Sequence, residues 1–170
     1  MFKWLSILFL IPMMVVSAEP QNVVKKENNI NKQVVNPFIY DRTVKGDMND
    51  VYKKIFTALE NNGYFVTFEL NLGKNLSHFA KRWGKEYNKN KLKSIRSMIF
   101  CNGSYANQLS NVDPSLLALC PLHISLYTKD HETHILFVRP GKVAGRSKAQ
   151  KIAKELEDDV IRTIEVAITS

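Results

Sequence analysis

The sequence predicts a two-layer α+β domain in which helices cover one face of an antiparallel sheet of about five strands. Three observations indicate this fold. Short β-branched and aromatic segments recur along the chain, one pair of them alternates apolar and polar residues about a tight turn, and a long amphipathic segment closes the sequence. A sheet with one apolar face needs helices to cover it, and a chain of this length normally forms a single core.

The first half of the domain predicts the order strand, helix, strand. Residues 38–44 mix aromatic and β-branched side chains and predict the first strand. Asp47 caps a helix over residues 47–62, whose apolar residues recur at helical spacing and whose Asn62-Gly63 pair is a typical stop. A second strand is predicted over residues 64–70, which are again β-branched and aromatic.

The middle of the chain is less regular. Within residues 71–94, a few apolar residues share one helical face before a run of Asn and Lys breaks the pattern. This predicts a short helix followed by a basic loop. Residues 94–101 predict a third strand, and residues 105–109 predict a helical turn before Asp113-Pro114.

The clearest prediction is a hairpin over residues 122–138, where apolar and polar residues alternate on both sides of a short polar turn. If Lys129 faces Glu132, the register of the two strands is fixed. The buried apolar pairs are then Ile124 with Phe137 and Leu126 with Ile135. After the hairpin, Ser147 is expected to cap a long helix whose apolar stripe runs from Ala149 to Ala167 and lies across the sheet.

The first eighteen residues predict an export signal. Lys3 precedes an apolar run from Leu5 to Val16, and Ser17-Ala18 completes a cleavage site, so cleavage is expected after Ala18. The run is shorter than the ~20 apolar residues that span a bilayer, and no stable membrane anchor is expected after cleavage. Residues 19–35 predict a flexible leader, and residues 36–170 form the domain. We therefore expect an exported protein, either periplasmic or secreted.

The chain is basic, with a formal net charge of +8 at pH 7. An excess of basic over acidic residues often indicates nucleic-acid binding. Export would separate the protein from the genome, so no nucleic-acid partner is expected. The charge favours solubility and attraction to anionic headgroups, polysaccharide or an acidic partner protein; the alternative is an ordinary solvated surface. The sequence contains no paired catalytic carboxylates, phosphate-binding glycine loop or nucleophile elbow, so neither an enzymatic activity nor a cofactor is predicted.

Four motifs carry a resemblance to a known family: Cys101-Asn102-Gly103-Ser104-Tyr105-Ala106, Asp113-Pro114, the segment Leu119 to Tyr127, and Phe137-Val138-Arg139-Pro140. Over roughly residues 38–168 the chain resembles the domain-of-unknown-function 302 (DUF302) family. The resemblance implies a helix-grip-like α+β domain, related in shape to the TATA-binding-protein fold, that is often a homodimer and has no settled activity. The family typically has Cys-Asn-Pro and Pro-Cys where this chain has Cys101-Asn102-Gly103 and Cys120-Pro121. A shift of one position along a strand reverses the face on which a side chain projects.

Cys101 and Cys120 are the candidate disulfide, because a chain with two cysteines in an oxidising compartment tends to pair them. Three alternatives remain open. Cys101, Cys120 and His123, with His134 as a further candidate, could hold a metal, although Cys120 and His123 would face opposite ways on a regular strand. Cys101 could be a redox or nucleophilic thiol near a helix N-terminus. The two thiols could also be inert and buried.

The favoured functional hypothesis is a non-catalytic binding module that takes a small apolar ligand or an acidic partner. A helix lying over a curved sheet can leave an apolar groove, although the same side chains could instead fill the core. The groove candidates are Phe65, Phe68, Trp83, Phe100, Asn102 and Phe137. Leu136 and Val138 lie on the opposite hairpin face, which predicts a homodimer. The rival hypothesis is a redox or metal-handling protein that uses Cys101.

Overall fold

Five strands form one antiparallel sheet in the order β1-β5-β4-β3-β2, which confirms the predicted fold class. The structure, a computed structural model, describes residues 36–170. The export signal predicted for residues 1–18 and the leader predicted for residues 19–35 lie outside the described residues. The strands are β1 (Ile39–Lys45), β2 (Phe65–Leu70), β3 (Lys93–Cys101), β4 (Leu122–Lys129) and β5 (Glu132–Val138).

The first helix matches its prediction closely. Asp47 caps it, because its carboxylate accepts a hydrogen bond from the backbone N–H of Asn49 at 2.8 Å. The chain then leaves the helix through Asn62 and a left-handed Gly63, with φ of 77°. The helices are α1 (Met48–Asn61), α2 (Leu72–Ser77), α3 (Ala80–Trp83), α4 (Gly103–Val112), α5 (Pro140–Val143) and α6 (Gln150–Thr169).

The register predicted for the β4–β5 hairpin is confirmed. Lys129 pairs with Glu132, and the two apolar cross-strand pairs follow from it as expected. The turn residues Asp130 and His131 both have positive φ, at 50° and 65°. This conformation matches the twist of the two strands and suits a two-residue hairpin loop.

Helices α1 and α6 cover one face of the sheet, which we call the covered face. Alternate residues of β4 and β5 point toward these helices and are buried, including Ile124, Leu126 and Ile135. The predicted stripe of α6 packs over them, which confirms that this helix lies across the sheet. The buried residues of the stripe are Ala149, Ala153, Leu156, Val160, Ile164 and Ala167.

The structure differs from the sequence prediction in five places. Helix α4 has ten residues where a turn over residues 105–109 was expected, because Asn102 caps it and Leu109 anchors it in the core. Residues 71–94 contain two short helices and a 3-10 turn instead of one helix. Helix α5 and a 3-10 helix at Pro114–Leu119 were not predicted. Helix α6 begins at Gln150, so Ser147 acts one turn earlier, where its hydroxyl accepts from the N–H of Ala149.

Among the helices of residues 36–170, none has the length and apolar content needed to cross a bilayer.

Candidate functional site

The two cysteines meet at one end of the sheet. Cys101 is the last residue of β3, and Cys120 lies two residues before β4. Their sulfur atoms are 3.4 Å apart, and both cysteines are half-buried free thiols in the structure. The fold therefore brings together the two residues that the sequence suggested as a pair.

Asn102 fixes the backbone next to this pair. Its side-chain oxygen accepts hydrogen bonds from the N–H groups of Ser104 and Tyr105 at 3.0 and 3.2 Å, which makes it the cap of α4. Its amide nitrogen donates to the carbonyl of Gly63 at 3.1 Å, which ties the start of α4 to the turn after α1. All three hydrogen bonds of Asn102 hold the backbone in place. The side chain that was predicted to line a ligand groove therefore has a structural role in the fold.

The environment of Cys120 keeps its thiol protonated at neutral pH. Burial, the hydrogen-bonding contact with Cys101 and the charge of Cys101 together raise the pKa of Cys120 to about 12. A thiolate is the nucleophilic and metal-binding form of cysteine. Cys120 is therefore suited to a buried contact or a disulfide rather than to nucleophilic attack.

The six predicted groove residues do not line one groove. Phe100 and Phe137 are in the core, with ring centroids 6.4 Å apart beneath the helices. Phe65 and Phe68 project from the other side of the sheet and are 68% and 56% exposed. Trp83 lies on the segment between β2 and β3. The prediction fails as a single groove because α1 and α6 pack directly on the covered face and fill the space that a ligand would need.

The face opposite the helices, which we call the open face, holds the remaining outward side chains of the sheet. Leu136 and Val138, the residues that predicted a dimer, lie on it half-buried. Phe65 pairs with Cys101 and Phe68 pairs with Ile99 on the neighbouring strand, so both rings point the same way. The two large exposed rings lie on the edge strand β2, whereas Leu136 and Val138 lie on β5, so the open face carries apolar side chains on two separate strands.

The histidines are dispersed rather than clustered. His123 is exposed on the open face, and His134 stacks on Tyr127 with ring centroids 4.5 Å apart. The Nδ1 atom of His134 also contacts the hydroxyl of Thr43 at 3.0 Å. Within residues 36–170, no group of three or more His, Cys, Asp or Glu side chains is placed to hold a metal ion. The alternative set of Cys101, Cys120 and His123 is therefore not assembled.

A buried ion pair that the sequence analysis missed links α5 to α6. Glu157 is fully buried and accepts two hydrogen bonds from Arg139, at 2.9 and 2.7 Å, and one from the N–H of Gly141 at 3.0 Å. A Cβ on Gly141 would lie 2.8 Å from the Cα of Lys154, so only glycine fits this approach. The available signal was an acid inside the apolar stripe of a helix.

Two clefts lie outside the predicted groove. One, of about 750 Å³, runs between α1 and the end of α6 and is lined by residues such as Val51, Lys54 and Val166. The other, of about 520 Å³, lies under the segment that joins β2 to β3, where Leu76, Trp83 and Tyr87 contribute to its wall. Of the predicted groove residues, Trp83 alone lines either cleft.

Comparison with known proteins gives a family and a fold. The family model described as "Domain of unknown function DUF302" matches residues 40–167. The crystal structure of an uncharacterized conserved DUF302 protein from Bacillus stearothermophilus superposes with a TM-score of 0.65 at 18% sequence identity. The superposition covers 76% of this chain and 98% of that protein. No curated protein matches the sequence.

Proposed function

Because this chain belongs to the family described as domain of unknown function DUF302, we propose its role from its own structure: it is an exported, non-catalytic binding module that associates through its open face. The observation that carries this proposal is the exposure of Phe65 and Phe68, at 68% and 56%. Large apolar side chains exposed next to each other usually mark an interaction surface.

We propose that a second copy of the chain occupies the open face. On β1, β4 and β5 the outward acids Asp41 and Glu132 balance the outward bases Lys45 and Lys129, whereas the whole chain carries +8. Two copies could therefore meet face to face about a two-fold axis without strong charge repulsion. The half-buried Leu136 and Val138 would add aliphatic area to the same interface.

Sedimentation velocity tests the dimer. We expect the native protein to sediment as a dimer at micromolar concentration and Phe68→Asp to shift it to the monomer, with an unchanged circular dichroism spectrum. Val166→Asp is the matched control, because Val166 is 60% exposed but lies on α6, away from the open face. A monomeric native protein, or equal loss of dimer in both variants, would contradict the proposal.

We propose that Cys101 and Cys120 form a structural disulfide in the exported protein. Their sulfurs are 3.4 Å apart, and a disulfide bond of about 2.05 Å needs only a small further approach. The intact mass of protein purified from the exported fraction tests both parts. We expect a chain that begins at Glu19 and is two hydrogens lighter than its reduced form. An uncut, reduced chain in the cytosol would contradict export and the disulfide together.

A second candidate function is a thiol redox protein, favoured by the position of Cys101 next to Asn102, the cap of the ten-residue helix α4. Helix N-termini stabilise thiolates. The reduction potential of the pair separates the two candidates. A potential below about −300 mV supports a structural disulfide, whereas a higher potential supports redox exchange. A metal that copurifies with the protein and is lost in Cys101→Ser would instead support metal handling.

A further inference from the structure

The segment between β2 and β3 has a composition unlike the rest of the domain. We call residues 71–94, including the first two residues of β3, the basic insertion. It contains seven Lys or Arg residues against Glu86 as its single acid, and therefore carries +6 of the chain's net +8. Because this charge is concentrated in 24 residues at one end of β3, the insertion is the main electropositive surface of residues 36–170.

Apolar side chains are exposed within this basic surface. Leu76, Phe79 and Trp83 are 37%, 45% and 42% exposed, and they are spaced three and four residues apart. Trp83 stacks on Phe79 with centroids 5.1 Å apart and on Tyr87 with centroids 6.5 Å apart. Four exposed basic side chains flank this aromatic stack: Lys74, Lys81, Arg82 and Lys85.

The insertion is held to the sheet as a defined structure. A Cβ on Gly73 would lie 3.1 Å from the backbone nitrogen of Ile95, so α2 packs closely on the edge of β3. The side chain of Asn88 closes the following loop, since it accepts from the N–H of Leu92 and donates to its carbonyl, both at 2.8 Å. The exposed rings are therefore presented by a fixed backbone.

We propose that the basic insertion binds an anionic bilayer surface, with Phe79 and Trp83 entering the interfacial region and the lysines and arginine contacting acidic headgroups. Interleaved aromatic and basic residues are typical of segments that lie in the membrane interface. The stack argues against a platform for bases or sugars, because Trp83 already stacks on Phe79 and on Tyr87 of the same segment. Insertion into a bilayer needs only the exposed ring edges.

Vesicle binding tests this inference with the chain that begins at Glu19. That form retains every contact described within residues 36–170 and contains Trp83 as its only tryptophan. We expect it to cosediment with phosphatidylcholine vesicles that contain about a quarter phosphatidylglycerol, and to be released by about 0.5 M salt. The emission of Trp83 should shift to the blue on binding. Failure to bind these vesicles would overturn the inference.

Charge variants locate the binding surface. Each basic side chain near an anionic membrane contributes roughly fivefold to binding, so Lys81→Gln with Arg82→Gln should weaken binding about 30-fold. The matched control is Arg146→Gln with Lys148→Gln, an exposed pair of the same two residue types outside the insertion. We expect less than a threefold loss from the control. Equal losses from both pairs would indicate attraction to net charge alone and would overturn the inference.

An aromatic variant tests the apolar contact. Phe79→Ala should weaken binding about tenfold, since an exposed ring that enters the interface leaves water. Phe38→Ala is its control, because Phe38 is 50% exposed and immediately precedes β1. Equal binding of soluble polyphosphate, with the same dependence on Phe79, would overturn the inference because no lipid would be needed. None of these variants changes Phe65 or Phe68, so the dimer test and the vesicle test can fail independently.

Discussion

The covered face and the open face are built from the same five strands, but helices α1 and α6 pack on the covered face alone. Phe137 and Leu136 are neighbours on β5, yet Phe137 is buried beneath α6 while Leu136 is only half-buried on the other side. Successive residues of a strand point to opposite faces. The covered face therefore determines the fold, whereas apolar residues on the open face are available for association.

The basic insertion differs from both faces because its apolar rings are surrounded by charge. The outward charges of β1, β4 and β5 balance, whereas residues 71–94 carry a net +6. A neutral apolar surface favours a like partner, and a basic apolar surface favours an anionic one. The difference between the two regions is the reason for assigning them different partners.

The largest expected effect comes from truncating a matched pair of phenylalanines. Phe137→Ala should lower the free energy of unfolding by about 3–5 kcal/mol, because it leaves a cavity in the core. Phe68→Ala should change it by less than about 0.5 kcal/mol when the protein is monomeric, since the ring is already 56% exposed. Urea denaturation at low protein concentration measures both values. Comparable losses would mean that the open face also holds the fold together.

The second prediction compares two acids on α6. Glu157→Ala should lower the free energy of unfolding by about 3 kcal/mol, because it leaves Arg139 and the N–H of Gly141 without their partner inside the covered layer. Glu165→Ala is the control, since Glu165 pairs with Arg42 and Tyr40 at the margin of that layer and is half-exposed. It should lose only about 1 kcal/mol. Urea titrations measure the free energy of unfolding of both variants. A larger loss in Glu165→Ala than in Glu157→Ala would contradict the burial argument.

The sequence was sufficient to predict the hairpin and α6, because their patterns match a single period. The two-residue turn at Asp130-His131 fixes the register, and alternation then assigns each side chain to a face. Residues Phe65 and Phe68 show where this reasoning stops. Their odd separation predicts opposite faces on a regular strand, but a bulge between Val66 and Phe68 turns both rings to the open face. The groove prediction assumed regular strands, so it could not take account of this bulge.

The candidate site was predicted only in part, for a similar reason. The contact between Cys101 and Cys120 follows from the strand ends that hold them, although their spacing alone did not choose among a disulfide, a metal ligand pair and free thiols. Glu157 was missed because its partner, Arg139, is 18 residues away and the intervening α5 was not predicted. Local patterns indicate which residues are buried, but contacts between elements depend on how those elements pack.

The third prediction concerns the end of β3, where Cys101 projects on the open side and the cysteine pair closes the segment that contains α4. In the disulfide form, reduction should lower the free energy of unfolding by about 3 kcal/mol, because the bond closes a loop between residues 19 positions apart. Urea denaturation with and without reductant measures the difference. The double variant Cys101→Ser and Cys120→Ser should be insensitive to reductant. An oxidised protein whose midpoint does not move on reduction would show that this end needs no covalent link.

The smallest effect is the pH dependence of the reduced protein. The pKa of Cys120 is raised to about 12 from 9.0, chiefly by burial, so the folded state holds the thiol proton more tightly than the unfolded chain does. The stability that this thiol contributes is complete below pH 9 and is lost as the pH rises toward 12. Urea midpoints of the reduced protein should therefore fall more between about pH 8 and pH 10 than those of Cys120→Ser. Buried tyrosines such as Tyr64 also have a raised pKa, so they add to the pH dependence of stability. The slope measured for Cys120→Ser gives the contribution of these other groups. Equal slopes would mean that Cys120 is as accessible to water as the exposed residues of the open face.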